Sequence, residues 1–273
     1  MTTVKSQNVN QTNLQNQKRK HISFSEIRIW SECAFKHKLI YLDKIKEFKG
    51  NEFTAFGTAV HTVCENLLLT ENINTESLFE KEFEKELSSL PTDLVLKEDL
   101  IRQMEKQGKD ILPEVLPAVK EYFGEYEVVN TEEELYELIE TFGDDNNFKG
   151  FIDLVVKTPD GKYHIIDWKT CSWGWNLQKR TDKLITYQLT LYKHFFAKKH
   201  NIDTKLIETH FALLKRTSKK ERVEIFRVTS GEKKTNNAMA LLEKALNNIK
   251  RNRYIKNRLS CAKCEFHKTK HCP

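Results

Sequence analysis

A mixed α/β domain, a sheet flanked by helices, is predicted by three features of the sequence. Apolar residues recur at helical spacing through the first half, the pattern turns strand-like after Gly124, and a Pro-Asp-Gly turn joins two of the strand-like runs. The chain has 273 residues, 39% of them hydrophobic and 10% aromatic. A single core of that size buries about three quarters of the surface its unfolded chain exposes. No run approaches the ~18 apolar residues of a membrane span. The first twenty residues lack the apolar core of a secretory signal, so the six cysteines read as free thiols or metal ligands in a cytoplasmic protein. Lys and Arg number 45 against 39 acids, a net charge of +6 that permits a nucleic-acid partner without establishing one.

Residues 1–22 read as a disordered, mildly basic tail, since the first twenty hold four Asn and four Gln and end in Lys18-Arg19-Lys20. A helix is expected behind Ser25, with Ile27, Trp30, Phe35, Leu39 and Ile40 near helical spacing. A second follows at about 54–69, its apolar face carrying Val60, Val63, Cys64, Leu67 and Leu68. A helical insertion at about 70–123 reads as two or three amphipathic helices interrupted at Pro91, Pro113 and Pro117, because proline removes a helix-interior donor. Tyr126 and Val128, then Leu135, Leu138 and Ile139, suggest short strands, and 148–156 is a firmer one. Thr158-Pro159-Asp160-Gly161 is a turn, because Pro fixes one φ and Gly supplies a positive one. The return strand is 163–169, followed by a helix at 184–197, strands at 210–216 and 223–228, and a last helix at 236–249.

Chemistry concentrates in the hairpin. With the turn centred on Asp160, Asp153 and Asp167 each lie seven residues away and should face each other across the ladder. Lys169 shares the face of Asp167. By alternation Phe151, Val155 and Ile165 occupy that face too, and Ile152, Leu154, Val156, Ile166 and Trp168 the opposite one. Like charges facing across a ladder destabilise it, and carboxylates set among apolar residues need a compensating cation or proton. Two readings stand: a solvated face whose salt bridge contributes about 0–1 kcal/mol, or a site for a hard divalent cation such as Mg²⁺.

Gly150-Phe151-Ile152-Asp153 followed by Asp167-Trp168-Lys169 resembles the PD-(D/E)xK nuclease signature. Gly57-x-x-x-His61 upstream and Gln188-x-x-x-Tyr192 downstream resemble the histidine helix and the Q-x-x-x-Y helix of its RecB-like exonuclease branch. The segment 25–41 with Cys33 is similar to that branch's opening helix. Cys261, Cys264 and Cys272 stand where iron–sulfur members, among them CRISPR spacer-acquisition and AddB-type nucleases, place their other three cysteines.

The resemblance implies a restriction-endonuclease-like α/β fold: a central mixed sheet, flanking helices and a nuclease domain over 23–273. It implies that His61, Asp153, Asp167 and the Trp168 carbonyl hold one or two Mg²⁺ or Mn²⁺ ions, with Lys169 orienting and helping to activate the attacking water. Gln188 would contact the acids or DNA, and Tyr192 would stack on a base or contact phosphate. Glu65, one turn from His61, is kept as a supporting or second-metal group. Lys179, Arg180, Lys183 and Lys193 either track a phosphate backbone or form a solvated face. Cys33, Cys261, Cys264 and Cys272 would hold a [4Fe-4S] cluster closing the segment 260–273 onto the first helix. Zinc on Cys261, Cys264, His267 and Cys272 is the alternative. Cys64 reads as packing.

The expected activity is a metal-dependent DNA exonuclease preferring single-stranded ends, in replication, recombination or repair, in a bacterial or phage-infected cell. A replication or recombination protein is the expected partner. A structure-specific or CRISPR-adaptation endonuclease, or a zinc-knuckle protein that binds nucleic acid without cleaving it, are the alternatives.

Overall fold

Strand β3 (Asn147–Lys157) organises a mixed sheet in which the computed structural model describes residues 21–45, 50–70, 73–142 and 146–273. Along one edge β3 pairs antiparallel with β2 (Glu127–Leu138). Its other edge is shared. Strand β1 (His21–Ser23) pairs parallel with 147–149, and β4 (Tyr163–Cys171) pairs antiparallel with 154–157. Between those two ladders, residues 150–153 have no strand partner on that edge. Beyond β4 come β5 (Ile207–Lys215), parallel to it, and β6 (Val223–Val228), antiparallel to β5.

Two apolar layers cover the sheet. One joins Phe148, Ile152, Val155, Ile165, Phe211 and Leu213 to α1 (Phe24–Glu32), α8 (Lys183–His200) and α9 (Glu232–Lys250). The other joins Leu154, Val156, Ile166, Trp168, Ala212 and Leu214 to α3 (Glu52–Leu69), α4 (Thr75–Ser88), α5 (Glu98–Ile111) and α6 (Val115–Phe123). Two short helices, α2 (Ala34–His37) and α7 (Leu177–Thr181), complete the elements the site uses. Strands buried on both faces read as near-continuous apolar runs, as 211–214 does. No described helix is long and apolar enough to cross a membrane.

Several expectations are corrected. The tail cannot extend to residue 22, because Ile22 is buried in β1 and pairs with Phe148; its first twenty residues lie outside the described ones. Helix α1 begins two residues earlier than Ser25 implied, with Ser23 Oγ accepting from the Glu26 N–H at 3.3 Å. Pro117 does not interrupt α6. It lies in the first turn, where a backbone N–H has no intrahelical acceptor to lose. The segment 127–138 is one 12-residue strand, with a bulge between Val128 and Asn130. The segment 75–123 holds three helices, within the two or three expected, and Gly108 of α5 packs tightly there: a Cβ would lie 2.2 Å from the Phe79 ring of α4.

Candidate active site

The β3–β4 ladder ends at Leu154–Ile166. At the next position the strands are joined by a side chain instead, Asp153 Oδ2 accepting from the Trp168 backbone N–H at 2.7 Å. The pleat alternation fails at this residue. Ile152 packs with Val155 and Ile165 in one core while Leu154 lies in the other, and Phe151 is exposed, contrary to the alternation that put Phe151 with Val155 and Ile152 with Leu154. Asp153 therefore sits at the opening left along the edge of β3.

Four elements bring side chains to this opening. From β4, Asp167 is buried, and its Oδ2 lies 2.5 Å from Lys169 Nζ as an ion pair without hydrogen-bond angles. From α8, Gln188 Nε2 donates to Asp167 Oδ1 at 2.8 Å and to the Tyr192 hydroxyl at 3.1 Å. From α3, His61 Nδ1 stands 3.8 Å from Asp153 Oδ2. The sequence-predicted residues Asp153, Asp167, Lys169, His61, Gln188 and Tyr192 thus meet in one place. Trp168 contributes backbone alone, its indole being buried in the opposite core.

Two glycines of the motifs differ in necessity. A Cβ on Gly150 would lie 2.6 Å from the Tyr192 ring, so only glycine lets β3 pass under that ring. A Cβ on Gly57 would meet Thr170 Oγ1 at 3.4 Å, ordinary contact, so the approach of α3 does not depend on that glycine. Tyr192 is itself buried, wedged against Phe148 and Gly150. In this arrangement no base can stack on it, and its visible work is to hold Gln188.

The electrostatics follow from burial. Burial raises Asp153 well above the ordinary carboxylate range and the charge of Asp167 raises it further, against Lys169 and the Trp168 N–H. Burial raises Asp167 as well, opposed by Lys169. His61 is pushed down to about 4, first by burial and then by Lys169, so at neutral pH it offers a lone pair. Sequence reasoning missed one acid here. Glu132, at the unusual φ of 50°, stands by Glu65, and burial first, then that neighbour, pushes Glu65 up to about 8. Only the long-range pairing of β2 with β3 reveals it, since Glu132 sits in an unremarkable acidic run.

These groups suit a hard divalent ion. Asp167 Oδ2 is buried without a hydrogen-bond partner, two carboxylates face a shortage of positive charge, and a neutral imidazole stands beside them. A family model described as the PD-(D/E)XK nuclease superfamily matches residues 21–269. The chain belongs to the PD-(D/E)XK nuclease superfamily. It is a nuclease, its mixed sheet and flanking helices are the restriction-endonuclease-like fold, and PD-(D/E)XK nucleases use divalent metals. A solved structure from Eubacterium rectale, provisionally named an exonuclease, is similar at a TM-score of 0.58 and 13% identity, over 96% of this chain and 92% of that one. That likeness shows the fold. The structure of the protein SSO0001 is more distant, with a TM-score of 0.43 and 15% identity over 94% and 88% of the two chains. No curated protein sequence matches the chain.

The cysteines gather elsewhere. Cys33, Cys261, Cys264 and Cys272 line one cavity of about 370 Å³ with Phe35, Leu39 and His267, and all four are free thiols. Cys33 Sγ accepts from the Asn257 N–H at 3.3 Å, so the opening helix and the C-terminal segment touch. Cys64 is buried in the α3 core, as its packing role requires, and Cys171 lies outside the cavity. Of the basic group, Arg180 is bonded to Glu224, whereas Lys179 lies over the Trp175 ring at 4.5 Å and Lys183 is exposed.

Proposed function

We propose that this nuclease is a divalent-metal-dependent DNA exonuclease acting on single-stranded ends. The observation that carries the reading is the convergence of Asp153, Asp167 and Lys169 at the gap in the β3 edge, where the buried Asp167 Oδ2 has Lys169 Nζ beside it as an ion-pair partner. His61, Asp153, Asp167 and the Trp168 carbonyl would hold Mg²⁺ or Mn²⁺. The ion supplies Lewis acidity toward water and toward the scissile phosphate. Lys169 orients the attacking water and offsets phosphate charge with a compact ammonium. Gln188, anchored on Tyr192, keeps Asp167 turned toward the gap.

A single-stranded substrate is favoured by the loop that leaves β4. Trp173, four residues beyond Lys169, is 68% exposed and borders a groove of about 540 Å³ lined also by Trp175, Asn176, Gln178 and Lys179. Stacking on such a ring contributes ~1–3 kcal/mol per base without sequence preference.

We further propose a [4Fe-4S] cluster on Cys33, Cys261, Cys264 and Cys272. What supports the reading is that all four cysteines line one cavity, Cys33 from the opening helix and the other three from the C-terminal segment. Replication, recombination or repair in a bacterial or phage-infected cytoplasm, with a protein partner from the same process, is the setting that fits this chemistry.

Linear and circular single-stranded DNA of one sequence, incubated with protein and Mn²⁺, test the exonuclease reading. Degradation of the linear form with the circle intact is expected. Loss of the circle at an equal rate would make the enzyme an endonuclease.

A further inference from the structure

The parallel pairing of β4 with β5 sets His164 opposite Glu208 and Ile166 opposite His210. His164, Glu208 and His210 all point to the sheet face that carries Ile166 and Trp168, under the Tyr122 and Phe123 rings that end α6. Asp167 and Lys169 point to the other face. The trio is therefore separated from the catalytic acids by the thickness of the sheet, with His164 three residues before Asp167 along β4.

Its geometry is that of a ligand set. His164 Nδ1 lies 3.1 Å from His210 Nε2 and 4.0 Å from Glu208 Oε2. Among the described residues this is the one group of three His, Cys, Asp or Glu whose ligand atoms all fall within 4.8 Å of one another. Two imidazole nitrogens bound tetrahedrally to zinc at 2.0–2.1 Å would stand about 3.3 Å apart, close to the spacing found. The outer atoms of two of the three are held as those of ligands usually are. Glu208 Oε1 is taken by Arg227 at 3.2 Å and Lys162 at 3.8 Å, which leaves Oε2 turned to the histidines. His164 Nε2 is fixed by the Thr158 hydroxyl at 3.0 Å.

A hydrogen bond between the two rings, with one proton between His164 Nδ1 and His210 Nε2, is the competing account, and either account leaves His210 Nδ1 buried without a hydrogen-bond partner. Burial pushes both rings toward the neutral form, His210 down to about 3, so at neutral pH neither must shed a proton to ligate. We propose that His164 Nδ1, His210 Nε2 and Glu208 Oε2 bind a borderline transition-metal ion of the Zn²⁺ class, at a site distinct from the catalytic one. Two imidazoles and one carboxylate are a donor set that Mg²⁺ does not prefer and Zn²⁺ does. Because its ligands come from two central strands, the ion would tie β4 to β5 beneath α6.

Co²⁺ is the probe, added to the full-length protein and followed by visible absorption, with Glu208→Gln and His210→Asn as variants. The wild type is expected to bind one equivalent of Co²⁺ more than either variant, with d–d bands that go with that equivalent. Zn²⁺ at a hundredfold excess over its Kd for this site should raise the melting temperature of the wild type by about 5 °C more than that of either variant. Thiolate-to-metal charge transfer in the near ultraviolet reports the cysteines separately. Two variants guard against a folding failure in either one. A wild type without d–d bands, or bands and stoichiometry unchanged in a folded variant, would overturn the proposal.

Discussion

Asp153 Oδ2 accepts from the Trp168 backbone N–H at 2.7 Å, at the position where β3 and β4 cease to pair. One carboxylate thereby both closes the end of a ladder and faces the catalytic gap. Such an acid works against the fold. A raised carboxylate contributes stability below the ordinary carboxylate range and loses it as pH rises, so the metal-free pair of Asp153 and Asp167 destabilises the protein at neutral pH. Asp153→Asn keeps an oxygen for the Trp168 N–H and removes the charge. In EDTA this variant should melt higher than wild type at pH 8, with the gap closing toward pH 4, while cleavage falls by about 10³-fold or more. A variant that melts lower at pH 8 would contradict the account.

Glu65 stands against Glu132 beside this site. Glu65 is raised from its ordinary value to about 8, so its contribution is full below about 4.5 and is lost as pH rises toward 8. The stability of wild type minus that of Glu65→Gln should therefore decline from pH 4.5 to 8 and stay flat above, as read by urea denaturation in EDTA. The left-handed φ of Glu132 is the cost at which this carboxyl is delivered.

The packing of Tyr192 on Gly150 makes a second route to the same acid. Gly150→Ala places a Cβ 2.6 Å from the ring, and overpacking of that kind costs about 1–3 kcal/mol. Gln188→Ala, which frees Asp167 Oδ1, should lower cleavage about 10–100-fold with DNA affinity nearly unchanged. Single-turnover rates beside filter binding separate the two effects. An equal loss of affinity would make Gln188 a DNA contact instead.

Cys33 and Cys261 are far apart in sequence and line one cavity. If a cluster joins them, Cys33→Ala should bleach the visible absorption of anaerobically purified protein and lower its melting temperature together, because one group does both. Colour that survives the substitution would remove Cys33 from the ligand set.

Much of the site was legible because its residues lie on three local patterns. The Asp160 turn sets the hairpin register, the i, i+4 spacing sets Gln188 with Tyr192, and one helix turn separates His61 from Glu65. The layering was legible for the same reason, from helical period before Gly124 and strand-like runs after it. What long-range pairing decides was not. Ile152 and Phe151 were assigned to the wrong faces because alternation fails at Asp153. The strand β2 looked like fragments because residues 130–134 are polar, and it forms because ten of its residues find β3. His164, Glu208 and His210 become neighbours only through the parallel ladder of β4 with β5. Trp173 carried a weak local signal, an aromatic set between Ser172 and Gly174.

The most direct test of the central claim is cleavage of end-labelled DNA by wild type and Lys169→Ala in Mg²⁺, Mn²⁺ or EDTA. The account predicts cleavage that EDTA abolishes and that Lys169→Ala reduces by about 10²–10⁴-fold, with the variant folded and still binding DNA. Cleavage that persists in EDTA, or that a folded Lys169→Ala performs at the wild-type rate, would place the active site elsewhere.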